Sequence, residues 1–185
     1  MPFNPYDHNA SYTDIPAAFI AESGRNLLAS GGRIDHCLNQ LTDDQIWWRP
    51  QPEMNAIGNL LLHLSGNIGQ WLIAAIDNVP SSRNRPGEFA HRDHTPKAQL
   101  QAAFHQTLAR AASSLDACTA AQLLERRRIQ GNDTTLLTAI YHAVSHFEGH
   151  TQEIIAMTRQ IKGKDYRFLW IPQTPEQISN NIGKE

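Results

Sequence analysis

The sequence predicts an all-α protein that forms one four-helix bundle. Its 185 residues suit a single domain spanning residues 1–185, and no segment shows the alternating pattern of a β-strand. Apolar residues instead recur at intervals of three and four in four long segments. These segments are residues 14–40, 55–77, 96–117 and 133–162. The long connection at residues 78–95 lets the second and third helices run in parallel, which predicts an up-down-down-up bundle.

The first predicted helix, residues 14–40, has an apolar face that two glycines interrupt. Leucines and isoleucines lie at helical spacings along it, whereas Gly31 and Gly32 weaken its middle. A short turn follows, in which Thr42 and Gln45 have the spacing of a capping box.

The second predicted helix, residues 55–77, has the clearest core-facing side. If each residue advances the helix by about 100°, its apolar residues fall within about 60° of one direction. They are Ile57, Leu60, Leu61, Leu64, Ile68, Trp71, Leu72 and Ala75. An apolar face of this kind is typical of a helix that packs on a core.

Capping residues delimit the third and fourth predicted helices. Thr95 and Pro96 suit an N-cap and the first helical position, and they follow a loop of a length that is usually functional or disordered. Gly163 suits the C-terminal cap of the fourth helix. The tail, residues 163–185, is expected to pack across the bundle or to cover one end. Its large apolar residues are Tyr166, Phe168, Leu169 and Trp170.

Composition and charge argue against nucleic-acid and membrane partners. Lys and Arg total 16 and Asp and Glu total 18, so the net charge is −2. The chain therefore lacks the excess positive charge that is typical of proteins that bind DNA or RNA. The basic run at residues 126–128 is interpreted as a solvated segment. No apolar run approaches the roughly 18 residues of a membrane span, and the start of the chain is polar. Because Cys37 and Cys118 form no pattern, we expect a cytoplasmic protein with free thiols.

Three histidines lie four residues apart in "YHAVSHFEGHTQEI", residues 141–154. Measured from the centre of the apolar face, His150 lies about 80° away, His146 about 120° and His142 about 160°. His150 and His146 therefore flank the core, whereas His142 faces away from it. Two imidazoles at this spacing can reach one cation, since their Cβ atoms lie about 5–6 Å apart.

A third ligand must come from another helix, and His63 is the candidate. It lies about 120° from the centre of the second helix's apolar face, with the same sense of offset as His146. A lone histidine on an apolar helix is more often a hydrogen-bonded structural residue, so periodicity leaves both interpretations open. Asn67 lies one turn further along.

The acidic residues of the fourth helix do not form a zinc-protease motif. Glu148 lies about 200° around the helix from His146, so it is interpreted as a solvated or interface carboxylate. Glu153 lies on the histidine side, where it could orient an imidazole, contact a ligand or remain at the surface.

Aromatic and loop residues give weaker candidates. Trp47, Trp48 and Trp71 could line a pocket, but core packing is the favoured role for most of them. His91 and His94 lie in the long loop, where they could add a ligand or cover a site, although exposed loop histidines are common.

Two segments of the chain resemble the DinB/YfiT-like superfamily. They are "LTDDQIWWRPQPEMNAIGNLLLHLSGNIGQWL" and "AIYHAVSHFEGHTQEIIAMTRQIKG", and "RPGEFAHRDHTPKAQL" is similar to an uncharacterised branch of it. The likeness covers residues 14–172. It implies an up-down-down-up four-helix bundle with a divalent metal held by three histidines.

Carried over by position, the implied metal ligands are His63, His146 and His150, and His142 matches no ligand position. The chain departs from the family's His-x-Gly-Gln-Ile, because Gln152 and Glu153 replace the glycine and glutamine. This departure leaves the three ligands intact but changes the residues beside them. Asn67 and Glu153 are separate candidates for contact with the metal ligands or with substrate. The resemblance implies no DNA binding and is compatible with a homodimer.

Three neutral imidazoles would leave a divalent charge uncompensated and a coordination position open, as in catalytic sites. Zinc or nickel is favoured, and iron is compatible with such ligands. The expected function is metal activation of a low-molecular-weight thiol or of water for attack on a small electrophile, as in an S-transferase or a hydrolase. The alternative is a non-catalytic, stress-associated, metal-stabilised module for binding or dimerisation.

Overall fold

The computed structural model describes residues 11–170, and this part of the chain is predominantly helical. The helices, in chain order, are α1 (Ile15–Leu38), α2 (Asp43–Ile46), α3 (Ile57–Ile68), α4 (Ala74–Asp77), α5 (Arg85–Ala90), α6 (Lys97–Ala117) and α7 (Leu136–Lys162). Tighter or wider turns occur at Gly69–Ile73 (π-helical), Ala121–Leu124 and Gly163–Asp165 (both 3₁₀), and a hairpin is formed by β1 (Arg126–Ile129) and β2 (Asn132–Thr135).

The long helices pack around one apolar core. Helix α1 contacts α6 and α7, and α3 contacts the same two helices. Phe104 of α6 and Phe147 of α7 are both buried, and their rings stack with centroids 5.8 Å apart. The predicted helical character is therefore confirmed. None of the helices in the described residues has the length and hydropathy that a bilayer crossing would require.

Helix α1 is capped by Asp14 and continues through the double glycine. The Asp14 side chain accepts a hydrogen bond from the Ala17 amide at 2.8 Å, and Pro16 occupies the first turn. Gly31 is buried, and a Cβ there would lie 2.6 Å from Leu108 Cδ1 of α6. The missing side chain thus allows α1 and α6 to approach closely rather than weakening the helix.

A π-helical turn changes the phase of the second long helix after residue 68. Helices α3 and α4 are joined by Gly69–Ile73, where each turn is wider than an α-helical turn. As a result, Ile73 is 7% exposed and joins the core. Trp71, predicted to face the core, is only partly buried, and its ring centroid lies 4.2 Å from that of His142.

The hairpin corrects the prediction that no strands occur and that the fourth helix begins at residue 133. Strand β1 pairs antiparallel with β2, and Ile129 lies opposite Asn132. Gln130 and Gly131 between them have φ of 52° and 82°, as a two-residue hairpin turn of the I′ type requires. Helix α7 begins only after Thr135, whose side chain caps it.

The basic run is not uniformly solvated, because Arg127 is only 8% exposed. Its Nε donates a hydrogen bond to the Ala75 carbonyl at 2.7 Å, and its Nη2 donates to Glu125 at 2.8 Å. Arg127 therefore ties the hairpin to the end of α4, which corrects the interpretation of residues 126–128 as a solvated segment.

Replacing Arg127 with alanine is expected to lower the free energy of unfolding by about 1–3 kcal/mol, because the buried Ala75 carbonyl loses its donor. Urea denaturation measures this effect. The matched control is Arg128→Ala, since the Arg128 side chain is 69% exposed and should change stability by less than about 0.5 kcal/mol. Equal losses in the two variants would contradict the structural role of Arg127.

The 78–95 segment is not a plain loop, since it contains α5 and is fixed to the bundle at several points. Asn84 caps α5 by accepting a hydrogen bond from the Gly87 amide. Asn59 of α3 donates to the carbonyls of Glu88 at 2.9 Å and His91 at 3.0 Å. The segment thereby lies against α3 beside His63.

The first residues of the tail are held at the end of α1 by their backbone, but Phe168, Leu169 and Trp170 are 55%, 44% and 46% exposed, so these predicted packing residues do not cover the core. Gln40 exchanges two hydrogen bonds with the backbone of Arg167, at 2.8 and 3.1 Å. The Arg159 guanidinium lies over the Phe168 ring, 5.3 Å from its centroid. The rest of the predicted tail, residues 171–185, lies outside the described residues.

Candidate metal centre

His63 from α3 and His146 and His150 from α7 form one cluster. One ring nitrogen from each lies within 4.8 Å of the other two, which is close enough for a shared metal ion. The ring centroids of His146 and His150 lie 4.5 Å apart, and His63 lies 5.0 and 5.1 Å from them. The histidines that the sequence singles out are thus brought together, and His142 is not part of the group.

The packing of α3 on α7 and the four-residue spacing within α7 bring the three histidine rings together. The contact between α3 and α7 brings His63, which is 3% exposed, against the polar edge of α7. His146 and His150 are one turn apart on that edge, and both are half-buried. The site therefore lies at the boundary between the core and solvent.

Two carboxylates fix the outward ring nitrogens of the cluster. His63 Nδ1 lies 2.9 Å from Glu88 Oε2, and His150 Nδ1 lies 2.7 Å from Glu153 Oε2. An ionised carboxylate only accepts hydrogen bonds, so both Nδ1 atoms act as donors and both Nε2 atoms keep their lone pairs. This donor set suits a transition-metal ion, because metal-bound histidines usually donate their other N–H to such a partner.

Arg83 and Glu88 form a buried ion pair behind His63. Arg83 donates from Nε to Glu88 Oε1 at 2.7 Å and from Nη2 to Oε2 at 2.8 Å. The side chains are only 3% and 10% exposed. Sequence analysis missed this pair, although the length of the 78–95 segment was a signal that it carries functional residues.

The charge around the cluster differs from that of three isolated imidazoles. Glu88 and Glu153 each add a negative charge next to a histidine, and Arg83 adds one positive charge. A divalent cation would therefore be partly balanced by its surroundings, contrary to the expectation from the histidines alone.

Burial favours the neutral form of His146 and His63. It lowers the pKa of His146 to about 4, and repulsion from His150 and His63 acts in the same direction. Burial also lowers the pKa of His63, although the hydrogen bond to Glu88 opposes the shift. Neutral rings are the form that binds metals, so no proton has to be displaced from these two residues near pH 7.

The cluster opens onto a groove with a volume of about 390 Å³ along the outer face of α7. The groove is lined by His142, Ser145, His146, Gly149, His150 and Glu153. The rings of His142 and His146 stack with centroids 5.5 Å apart, and Trp71 packs against His142. A small molecule in the groove would therefore contact two histidines of the cluster.

Comparison with known proteins establishes the family. A family model described as a protein of unknown function (DUF1572) matches residues 14–175. The chain belongs to the DUF1572 family. No curated protein sequence matches it. A crystal structure of a conserved protein from Enterococcus faecalis has the same fold, with a TM-score of 0.66 and 18% identity, over 78% of this chain and 97% of that one.

The DUF1572 match includes the histidine cluster and the remaining candidate residues. Asn67 is 3% exposed, and its Oδ1 finds no hydrogen-bond partner among the described residues. Glu148 accepts hydrogen bonds from Ser30 at 2.7 Å and Arg33 at 2.9 Å, so it joins α7 to α1 as an interface carboxylate. Asn67 thus offers a buried acceptor one turn from His63.

The loop histidines of the DUF1572 chain pack against Trp47 rather than joining the cluster. The ring centroids of His91 and His94 lie 5.2 and 6.0 Å from that of Trp47, whose Nε1 donates to the Thr95 carbonyl. Trp47 is buried, as favoured for a core residue, whereas Trp48 is 41% exposed. Neither tryptophan lines the groove.

The metal-free protein is expected to lose about 1–2 kcal/mol of stability as the pH falls from about 6.5 to 4. The pKa of His146 is depressed to about 4 in the folded chain, whereas it is near 6.5 when unfolded. The unfolded state therefore binds the proton first, which favours unfolding in this window. The magnitude is reduced for the half-exposed ring. Urea denaturation with a chelator at several pH values measures it, and an unchanged pH dependence in His146→Gln would contradict this origin.

Proposed function

We propose that this protein is a metal-dependent enzyme that activates a low-molecular-weight thiol or water for attack on a small electrophile. His63, His146 and His150 would hold one divalent transition metal, for which zinc or nickel is favoured and iron is compatible. The observation that carries the proposal is the convergence of three imidazoles beside an open groove. Structural zinc sites, in contrast, are usually closed by a fourth protein ligand.

The residues around the cluster have separate tasks in this proposal. When bound, the metal would lower the pKa of water towards about 7 or favour the thiolate form of a thiol. Glu153 lines the groove and holds the His150 ring through one oxygen, and its second oxygen would be available to a bound molecule. Asn67, with its unpartnered Oδ1, is a candidate hydrogen-bond acceptor for substrate.

We also propose that the chain is a member of the DinB/YfiT-like superfamily with an up-down-down-up bundle. The pairwise contacts of α1 and α3 with α6 and α7 support this arrangement, as does the long connection between α4 and α6. One histidine of the cluster comes from α3 and two come from α7, which is the distribution of ligands that the family resemblance implies.

The proposed function is tested with protein purified without added metal. Elemental analysis should find about one transition-metal ion per chain, as expected for a single three-histidine site. The protein is then loaded in turn with zinc, nickel and iron(II). Each form is assayed with a panel of small thiols and alkylating electrophiles, and separately with ester and amide substrates without a thiol. If a substrate is consumed only with metal, and a chelator abolishes the reaction, the result supports the proposed enzymatic function.

Two other results would contradict the proposed enzymatic function. Stoichiometric metal that raises thermal stability without any turnover would favour the non-catalytic, metal-stabilised module. Absence of metal binding, with identical stability before and after chelation, would show that the histidine cluster binds no cation.

A further inference from the structure

We infer that Glu88 is the positioning residue of His63: it holds the ring in the tautomer that is protonated on Nδ1 and leaves Nε2 free for the metal. This inference rests on the proposed metal site and extends it to the 78–95 segment. The contact between His63 Nδ1 and Glu88 Oε2, at 2.9 Å, is the starting observation.

The protonation state of the pair follows from its contacts. A carboxylate accepts hydrogen bonds and cannot donate them, so Nδ1 must carry the proton that joins it to Glu88. Arg83 Nη2 lies 3.0 Å from the same Nδ1, but it also lies 2.8 Å from Glu88 Oε2, to which it can donate. When both groups donate to Glu88, the 3.0 Å approach of Arg83 Nη2 to His63 Nδ1 is a contact between two donors that share one acceptor, and His63 Nε2 is left to accept from His146 Nε2 at 2.8 Å.

Arg83 also makes the carboxylate difficult to replace. It donates to Oε1 and Oε2 of Glu88, so both oxygens must act as acceptors. A glutamine at position 88 would place its NH₂ group against an Arg83 donor in either orientation, at Nε or at Nη2, and in the second orientation the NH₂ group would also face His63. In the second case His63 Nδ1 would become an acceptor, and its proton would move to Nε2, the metal-binding position.

The fold holds Glu88 in place without a metal. Asn59 binds the backbone carbonyl of Glu88, and the Glu88 carboxylate lies directly against Gly66 on α3, where a Cβ would collide with it. The Phe89 ring packs on His63 with centroids 4.6 Å apart. The His63 tautomer is therefore set in advance by the 78–95 segment.

Glu153 provides a matched control. It also accepts from a histidine Nδ1, at 2.7 Å, but it lies three residues from His150 on the same helix and is 44% exposed. Water can replace it, and no arginine is recorded at its oxygens among the described residues. Its replacement by glutamine should affect His150 far less than Glu88→Gln affects His63.

The experiment compares wild type, Glu88→Gln and Glu153→Gln. Long-range ¹H–¹⁵N NMR of the metal-free proteins reports the tautomer of each histidine, and competition with a chromophoric chelator reports zinc affinity. We expect His63 protonated on Nδ1 in the wild type and in Glu153→Gln, and a shift towards Nε2 in Glu88→Gln. Zinc affinity in Glu88→Gln should fall by about 10–100-fold.

The results separate this inference from the proposed function. If Glu88→Gln keeps the wild-type tautomer and a zinc affinity within about threefold, Glu88 does not position His63. If the wild type binds no zinc, the metal-dependent function fails, while the NMR comparison still decides the tautomer. Should Glu88→Gln fail to fold by circular dichroism, Gly66→Ala displaces the same carboxylate without removing it, and the same shift is expected.

Discussion

Alanine in place of His63 or His146 is expected to reduce the bound metal to background and to abolish metal-dependent activity. Each variant leaves two imidazoles, and two ligands hold a divalent ion far more weakly than three. The stabilisation by metal should vanish as well, which amounts to about 2.7 kcal/mol when the free metal is 100-fold above its Kd. Elemental analysis and thermal unfolding with and without metal measure both effects.

The control for this pair is His142→Ala. Its ring stacks on His146 with centroids 5.5 Å apart, but it does not belong to the cluster. This variant should keep its metal and its metal-dependent rise in melting temperature. Full occupancy in His63→Ala would refute a site that spans α3 and α7.

The helices and the pairing of His146 with His150 could be predicted because both depend on local periodicity, whereas the addition of His63 followed from the family resemblance. A helix advances by about 100° per residue, so the phases of His146 and His150 relative to the apolar face follow from the sequence. The same helical phase places His142 on the side of the helix away from the core, apart from His146 and His150. The structure agrees, since His142 lies outside the group of three.

The ion pair behind His63 could not be predicted in this way. Glu88 is 25 residues from His63 in the chain, and their contact depends on the path of the 78–95 segment. Periodicity inside a helix carries no information about such a path. The loop histidines were only weak candidates for a ligand or a cover, and the residues that reach the site from this segment are a glutamate and an arginine.

Local departures from regular geometry account for the other errors. The π-helical turn at Gly69–Ile73 breaks the assumed advance per residue, so Trp71 is only partly buried against the core and reaches His142. The hairpin at residues 126–135 is too short to show an alternating apolar pattern. Arg127 is buried because the Ala75 carbonyl of α4 accepts its hydrogen bond, which charge alone does not indicate.

Gly66→Ala is expected to lower the free energy of unfolding by about 1–3 kcal/mol and metal affinity by about 10–100-fold. A Cβ at position 66 would collide with Glu88 Oε1 and would lie 3.0 Å from Arg83 Nε. The carboxylate cannot move aside freely, because Arg83 and His63 both hold it. Displacing it would break the hydrogen bond that orients His63. Urea denaturation and zinc competition measure the two effects.

The control is Gly69→Ala, because Gly69 lies about one helical turn after Gly66, directly after the end of α3. No heavy atom lies within 4 Å of a Cβ at position 69, and its φ of −56° is helical. Because alanine in a helix is favoured over glycine, this variant should gain about 0.5–1 kcal/mol and keep its metal affinity. If Gly66→Ala gained stability in the same way, the carboxylate would have room to move, and the contact between Glu88 and α3 could not be what fixes His63.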